Sequence, residues 1–234
     1  MTAVMSTNAT KVARRFPAIL SQSGSENGIS KIHNKRWKKD VVYLYQFNRA
    51  SSSPNISPFC FKVETWLRAN ELKHEDELEE KDVGIARAID RMIERNTHYL
   101  LLYFIFVENL SKFLRGLESS FIKRWLVRGT IYPFHSKVHR IFLDMGINKC
   151  SRNDLIGMLL KDIAAIDIIL GDKKFLFGVK PTMSDFTVFG HLATSYYLPF
   201  RQPITDILDD KYPRVKRLIE RMRRHYYPEW EFNT

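Results

Sequence analysis

Cysteine is scarce in this 234-residue chain: Cys60 and Cys150 are its only two. That is too few for a disulfide framework, and no Cys/His grouping has zinc-finger spacing. A reducing compartment and a scaffold without metal are therefore expected. Glycine and proline are sparse as well, at ten and nine residues, which excludes collagen-like and proline-rich architectures. No apolar run reaches the roughly twenty residues of a membrane-spanning helix. The longest, His98 to Val107, reads as a buried helix. The first residues lack the unbroken apolar stretch of a secretory signal, so the cytoplasm is the expected location.

What the chain does have is 44% hydrophobic residues, 16 Phe, 10 Tyr and 4 Trp, enough large apolar area for a real core. It also has a net charge of +11, of which +6 falls within residues 1–40. Most of the basic excess thus lies outside the expected folded part, and no RNA- or DNA-binding motif accompanies it, so nucleic acid is not the expected partner. Residues 1–40 show no helical or strand period and contain the polar stretch Ser21 to Gly28, as in a basic flexible tail. The acid-free first 25 residues share features with a mitochondrial transit peptide, although Pro17 interrupts any helix there. Mitochondrial association is the alternative location.

Asp40 to Phe47 is β-branched, aromatic and almost continuously apolar, the pattern of a buried strand. Ser57-Pro58 then opens a helix running to about Ala69, with Ser57 as cap and Pro58 as first helical residue. Its stripe Cys60, Val63 and Leu67, flanked by Phe59 and Trp66, predicts an apolar face against a sheet. Lys73 to Asp82 reads as an acidic linker, and everything beyond it as helical. Ile85, Ala88, Ile89, Met92 and Ile93 begin a central helix, and Asn153 to Leu170 forms another that Gly171 ends. Thr182 and Asp185 have the spacing at which each side chain satisfies a free backbone N–H at a helix start, a structural role. A last helix begins at Tyr212-Pro213, with Val215, Leu218, Ile219 and Met222 on one side and Arg214, Arg217, Arg221 and Arg224 on another. Such a basic stripe is ordinarily a solvated face balanced by neighbours.

Five segments of the chain, DVVYLYQF (Asp40 to Phe47), PNISPFCFKVETWLR (Pro54 to Arg68), GIARAIDRMIE (Gly84 to Glu94), GDKKFLFGVKPTMSDFTVFGHLA (Gly171 to Ala193) and YPRVKRLIERM (Tyr212 to Met222), carry a resemblance. Together they resemble the failed axon connections family, a metaxin-like branch of the glutathione transferase superfamily. The resemblance implies a mainly α, glutathione transferase-like fold. A truncated thioredoxin-like α/β part would occupy residues 41–80, and an all-α C-terminal helical bundle residues 81–234. The 40 residues of the first part are too few for a complete thioredoxin-like module, since one βαβ unit alone needs roughly 30. Between Pro58 and Gly84 the family's cis-proline and Glu/Asp-Ser pair have no counterpart.

The function implied is that of a non-catalytic cytoplasmic pseudoenzyme acting through protein partners, with a role in axon development. Alternatives are a glutathione-dependent transferase or peroxidase using Ser57 and a metaxin-like mitochondrial adaptor. Ser57 stands where related enzymes place the Ser or Cys that engages the glutathione sulfur. It is therefore the one catalytic candidate, and Ser57, Pro58 and Phe59 are the glutathione-binding candidates. No cofactor is expected, glutathione being the only ligand the resemblance suggests. Whether the chain forms a homodimer stays open at this level.

The remaining chemistry-bearing residues point to structure. Ser57 at a helix start is accounted for by capping alone. Cys60 lies in the first helical turn but shares the apolar stripe, as a packing cysteine does. His135 and His139 have metal-gripping i, i+4 spacing, yet Lys137 and Arg140 beside them repel a cation. His98 and His191 read as hydrogen-bonded core histidines. Asp162 and Asp167, five residues apart, lie on different faces and form no carboxylate dyad.

Overall fold

A computed structural model of the chain describes residues 54–70, 78–117 and 138–230, together with Leu44 and Ser136. The strand expected from Asp40 to Phe47, the basic tail, His135 and most of the Phe121 to His139 stretch lie outside the described residues. The chain divides into two units, residues 1–45 and 46–234.

The second unit is helical. Helix α1 spans Pro58–Asn70. A continuous run, α2, begins as Glu80–Met92, passes through a π-turn at Ile93–Thr97, resumes as His98–Tyr103 and ends in a second π-turn at Phe104–Glu108. Helix α3 is Leu110–Leu117, and residues 138–144 form α4. Helix α5 is Arg152–Leu170, α6 is Met183–Tyr196, α7 is Pro203–Asp206 prolonged by a π-turn at Ile207–Lys211, and α8 is Pro213–Tyr226. Among the described residues the one β pairing is a bridge between Phe175 and Gly178.

The core follows the apolar periods. Leu155, Leu159, Ile163, Ile166 and Leu170 line the buried face of α5, and Val215, Leu218, Ile219 and Met222 that of α8. Helix α6 is buried on every side from Ser184 to Ser195, so it forms the axis on which the others pack. Both long core helices open with a capping box. Asp185 accepts hydrogen bonds from the Thr182 N–H and hydroxyl, as the spacing predicts. In α5, Ser151 and Asp154 make the equivalent reciprocal pair, which starts the helix at Arg152 rather than Asn153.

The face of α1 that packs on this body is not the one its apolar stripe suggests. Phe61, Thr65 and Ala69 are buried completely, whereas Val63 is 42% exposed and Cys60 only half-buried. Thr65 belongs to the inner face because its hydroxyl is satisfied there, donating to the Phe61 carbonyl at 2.7 Å and pairing with the Tyr227 hydroxyl at 2.9 Å. A satisfied hydroxyl removes most of the cost of burying it. Phe61 packs against Phe189, Tyr227 and Trp230 with centroids 5.0, 4.9 and 5.8 Å away. Arg68 covers the Tyr227 ring at 4.1 Å and donates to the Tyr226 carbonyl at 2.6 Å. Helix α1 is thereby fastened to residues that follow α8.

Candidate functional site

Ser57 immediately precedes α1 and is occupied as its cap. Its Oγ accepts the Cys60 N–H at 3.4 Å, its carbonyl accepts the Phe61 N–H at 2.9 Å, and its own N–H donates to Asn55 Oδ1 at 2.8 Å. Pro58 follows as first helical residue, the position where a missing N–H costs nothing. Phe59 is 42% exposed and turns its ring edge-on to two imidazoles, 4.9 Å from His98 and 4.8 Å from His191. The two histidines meet each other at 5.4 Å with perpendicular planes. Beside them is a cavity of about 40 Å3 whose walls include Ile56, Pro58, Ile105 and Leu198 as well as both imidazoles.

Three elements build this cluster. The two π-turns of α2 flank the segment His98–Tyr103, and each inserts a residue that resets which side of the helix follows. From α6 comes His191, whose Nδ1 lies 2.9 Å from the Thr187 carbonyl. A carbonyl only accepts, so Nδ1 carries the proton and Nε2 presents a bare lone pair. Among the described residues that Nε2 has no hydrogen-bond partner. His98 departs from the expected hydrogen-bonded core histidine: its contacts are edge-on to Phe59, Tyr99 and His191.

Burial pushes the His98 imidazole down to about 3 and that of His191 down to about 4. Both rings are therefore neutral at physiological pH. The cavity they border is mostly apolar, with Thr194 and Ser195 beside the imidazoles, and of a size for one or two waters rather than a tripeptide.

Residues 159–222 match the family described as glutathione S-transferase, C-terminal domain. Over that stretch the chain is similar to glutathione transferases. It is also 24% identical to Failed axon connections of Drosophila melanogaster over 256 aligned positions, which cover 86% of this chain and 61% of that protein. The chain thus spans about three fifths of the length of that relative. Because 86% of 234 residues is about 201, some 55 of the 256 aligned positions have no residue in this chain.

The other singled-out residues make contacts within the chain or lie exposed. Asp185 is buried and accepts the Leu176 N–H at 2.9 Å besides its two bonds from Thr182. Asp162 accepts from Thr97 at 2.6 Å and Asn96 at 2.8 Å, whereas Asp167 pairs with Arg214, so the two carboxylates serve different partners, as their spacing predicts. Of the basic stripe of α8, Arg214 pairs with Asp167 and Arg224 with Glu220 at 3.9 Å, Arg221 donates to the Lys174 carbonyl, and the adjacent Lys216 pairs with Asp209 at 3.0 Å. His139 is exposed on α4, and the described residues contain no group of three or more His, Cys, Asp or Glu placed to hold a metal ion. They also contain no helix long and apolar enough to cross a membrane.

One buried and one half-buried histidine act against one buried carboxyl in the pH dependence of stability. Unfolded histidines take a proton near pH 6.5, while His98 and His191 resist until about 3 and 4. Their full contribution to stability is present above pH 6.5 and is lost as the pH falls toward 4 and then 3. Burial raises Asp185 to about 6 from 3.8, so its contribution is full below 3.8 and lost as the pH rises through 6. Between pH 6 and 4 the two histidines outweigh the one carboxyl, and stability is expected to fall by about 1.4 kcal/mol per pH unit on acidification. Urea midpoints across that range check it. His191→Phe should flatten the slope, and an unchanged slope would show that these imidazoles are not buried neutral.

Proposed function

We propose that this chain is a non-catalytic, cytoplasmic glutathione transferase-fold protein that acts by binding other proteins. The observation that carries this reading is the state of Ser57. Its oxygen is engaged by the Cys60 N–H, and the adjoining cavity is small, mostly apolar and lined by neutral imidazoles. An enzyme using Ser57 on glutathione needs that helix start to stabilise a thiolate and to accommodate a charged tripeptide. The relative's name links that protein to axon connections, and we extend a role in axon development to this chain on that basis.

Thermal unfolding of the full chain with and without millimolar glutathione tests the reading. The expected result is a cooperative transition that glutathione does not move. Ser57→Ala should lower stability by about 1 kcal/mol through loss of the cap alone. A ligand at about 100 times its Kd adds roughly 2.7 kcal/mol. An upward shift of several degrees that vanishes in Ser57→Ala would therefore replace this reading with the transferase one.

A further inference from the structure

The turn between α5 and α6 combines rigidity, charge and exposed aliphatic surface in a way the capping of α6 does not require. Phe175 and Gly178 exchange backbone hydrogen bonds at 2.9 and 3.1 Å, with Gly178 at φ 137. The turn is pinned from below. Leu176 is held by Asp185, the Lys174 carbonyl accepts from Arg221, and Phe175 is buried with the Lys174 ammonium at 5.6 Å and the Arg221 guanidinium at 5.8 Å from its ring.

The surface that this rigid turn offers to solvent is unusual. Val179 is 79% exposed and Ile168, at the end of α5, 76%, the highest values among the exposed large hydrophobics. Lys173, Lys174 and Lys180 of the same turn are all exposed. Lys173 folds back along α5 to donate to the Ile169 carbonyl at 2.6 Å, which sets its charge beside Ile168. The turn's single acid, Asp172, lies 3.8 Å from Arg214. Among the described residues no carboxylate pairs with Lys173, Lys174 or Lys180; the first two ammonium groups rest on the Ile169 carbonyl and over the Phe175 ring.

We propose that this turn docks the protein on an anionic lipid surface, with Val179 entering the interface and the three lysines meeting lipid phosphates. An exposed aliphatic side chain among lysines matches the headgroup boundary, where apolar insertion and basic charge act together. A protein partner of stable affinity needs a broad patch with a buried anchor, and this turn exposes one large aliphatic side chain.

Co-sedimentation of the full chain with phosphatidylcholine vesicles, with and without added phosphatidylserine, tests the proposal. Binding should require phosphatidylserine and weaken with salt. Neutralising the three lysines together (K173Q, K174Q, K180Q) should lower partition about a hundredfold, at about 1 kcal/mol per lysine. Val179→Asp should lower it about tenfold while leaving every cation in place. Each substituted side chain is exposed, and an unchanged melting temperature verifies that the fold is intact. Equal binding to both vesicle types overturns the proposal. So does loss of binding in the triple variant with none in Val179→Asp, because a surface that reads charge alone would suit any polyanion, an acidic protein included. If both variants bind like the unmodified chain, the basic residues 1–40 carry the attraction and the turn does not.

Discussion

Asp185→Ala is expected to cost about 3–5 kcal/mol, the penalty of leaving buried donors without an acceptor. Its two oxygens receive the Thr182 N–H, the Thr182 hydroxyl and the Leu176 N–H, at 2.8 to 2.9 Å. None of these groups is open to water, so no solvent molecule replaces the lost acceptor without first opening the start of α6. For a unit of this size a loss of that order lowers the melting temperature by roughly 10 °C. Asp185→Asn keeps one acceptor oxygen and should cost less. It should also abolish the carboxyl's opposing contribution to the pH profile, so that stability falls more steeply between pH 6 and 4. Urea denaturation at pH 7 decides the matter: an Asp185→Ala midpoint within 1 kcal/mol of the unmodified chain would mean that the box is not closed by this carboxylate.

Gly190→Val should be comparably severe for a different reason. A Cβ at residue 190 would stand 2.8 Å from the Pro58 carbonyl oxygen and 2.9 Å from the Lys62 nitrogen. Both are backbone atoms of α1, which cannot rotate away as a side chain can. The whole helix must shift, taking Phe61 off Phe189 and Tyr227, at an expected cost of about 3 kcal/mol or more. Alanine is the better helix former by about 1 kcal/mol, so Gly190→Ala separates propensity from contact: a net loss shows that contact dominates. Gly157, in α5, has nothing within 4 Å of an added Cβ. Gly157→Ala should therefore stabilise the protein by up to about 1 kcal/mol. If both alanine variants shift the urea midpoint upward, the close approach of α1 to α6 is not tight.

Elements defined by local chemistry are readable from the residues alone. Helices α5, α6 and α8 declare themselves by period, and Thr182, Asp185, Gly171 and Pro213 mark their ends because capping and turn geometry are decided within a few residues. Ser151 and Asp154 have the same signature as Thr182 and Asp185, and Gln202-Pro203 announces α7, two further local signals that the period of α5 and the basic stripe of α8 overshadow. The inner face of α1 is a different kind of problem. Thr65 counts as polar until Tyr227, 162 residues away, supplies its partner. The Phe59, His98 and His191 cluster has no local mark either: it depends on two π-turns that no residue type specifies and on the approach of helices far apart in the chain. Ser57 is legible as a cap, and the structure brings Pro58 and Phe59 to the same place. Whether that place binds glutathione depends on chemistry beyond the cap.

The fastening of α1 to Tyr227 and Trp230 bears on how the protein is made. During synthesis α1 emerges about 160 residues before the rings that cover Phe61. Until then Phe61 and Ala69 have at most part of their final surroundings, and closing so long a loop is slow compared with forming any single helix. The nascent chain therefore carries a sticky amphipathic segment through most of translation, the kind of exposure that recruits chaperones and favours aggregation. A protease that removed only the residues after α8 would strip Tyr227 and Trp230 from Phe61 and leave the first helix held chiefly by α6, with part of its inner face uncovered.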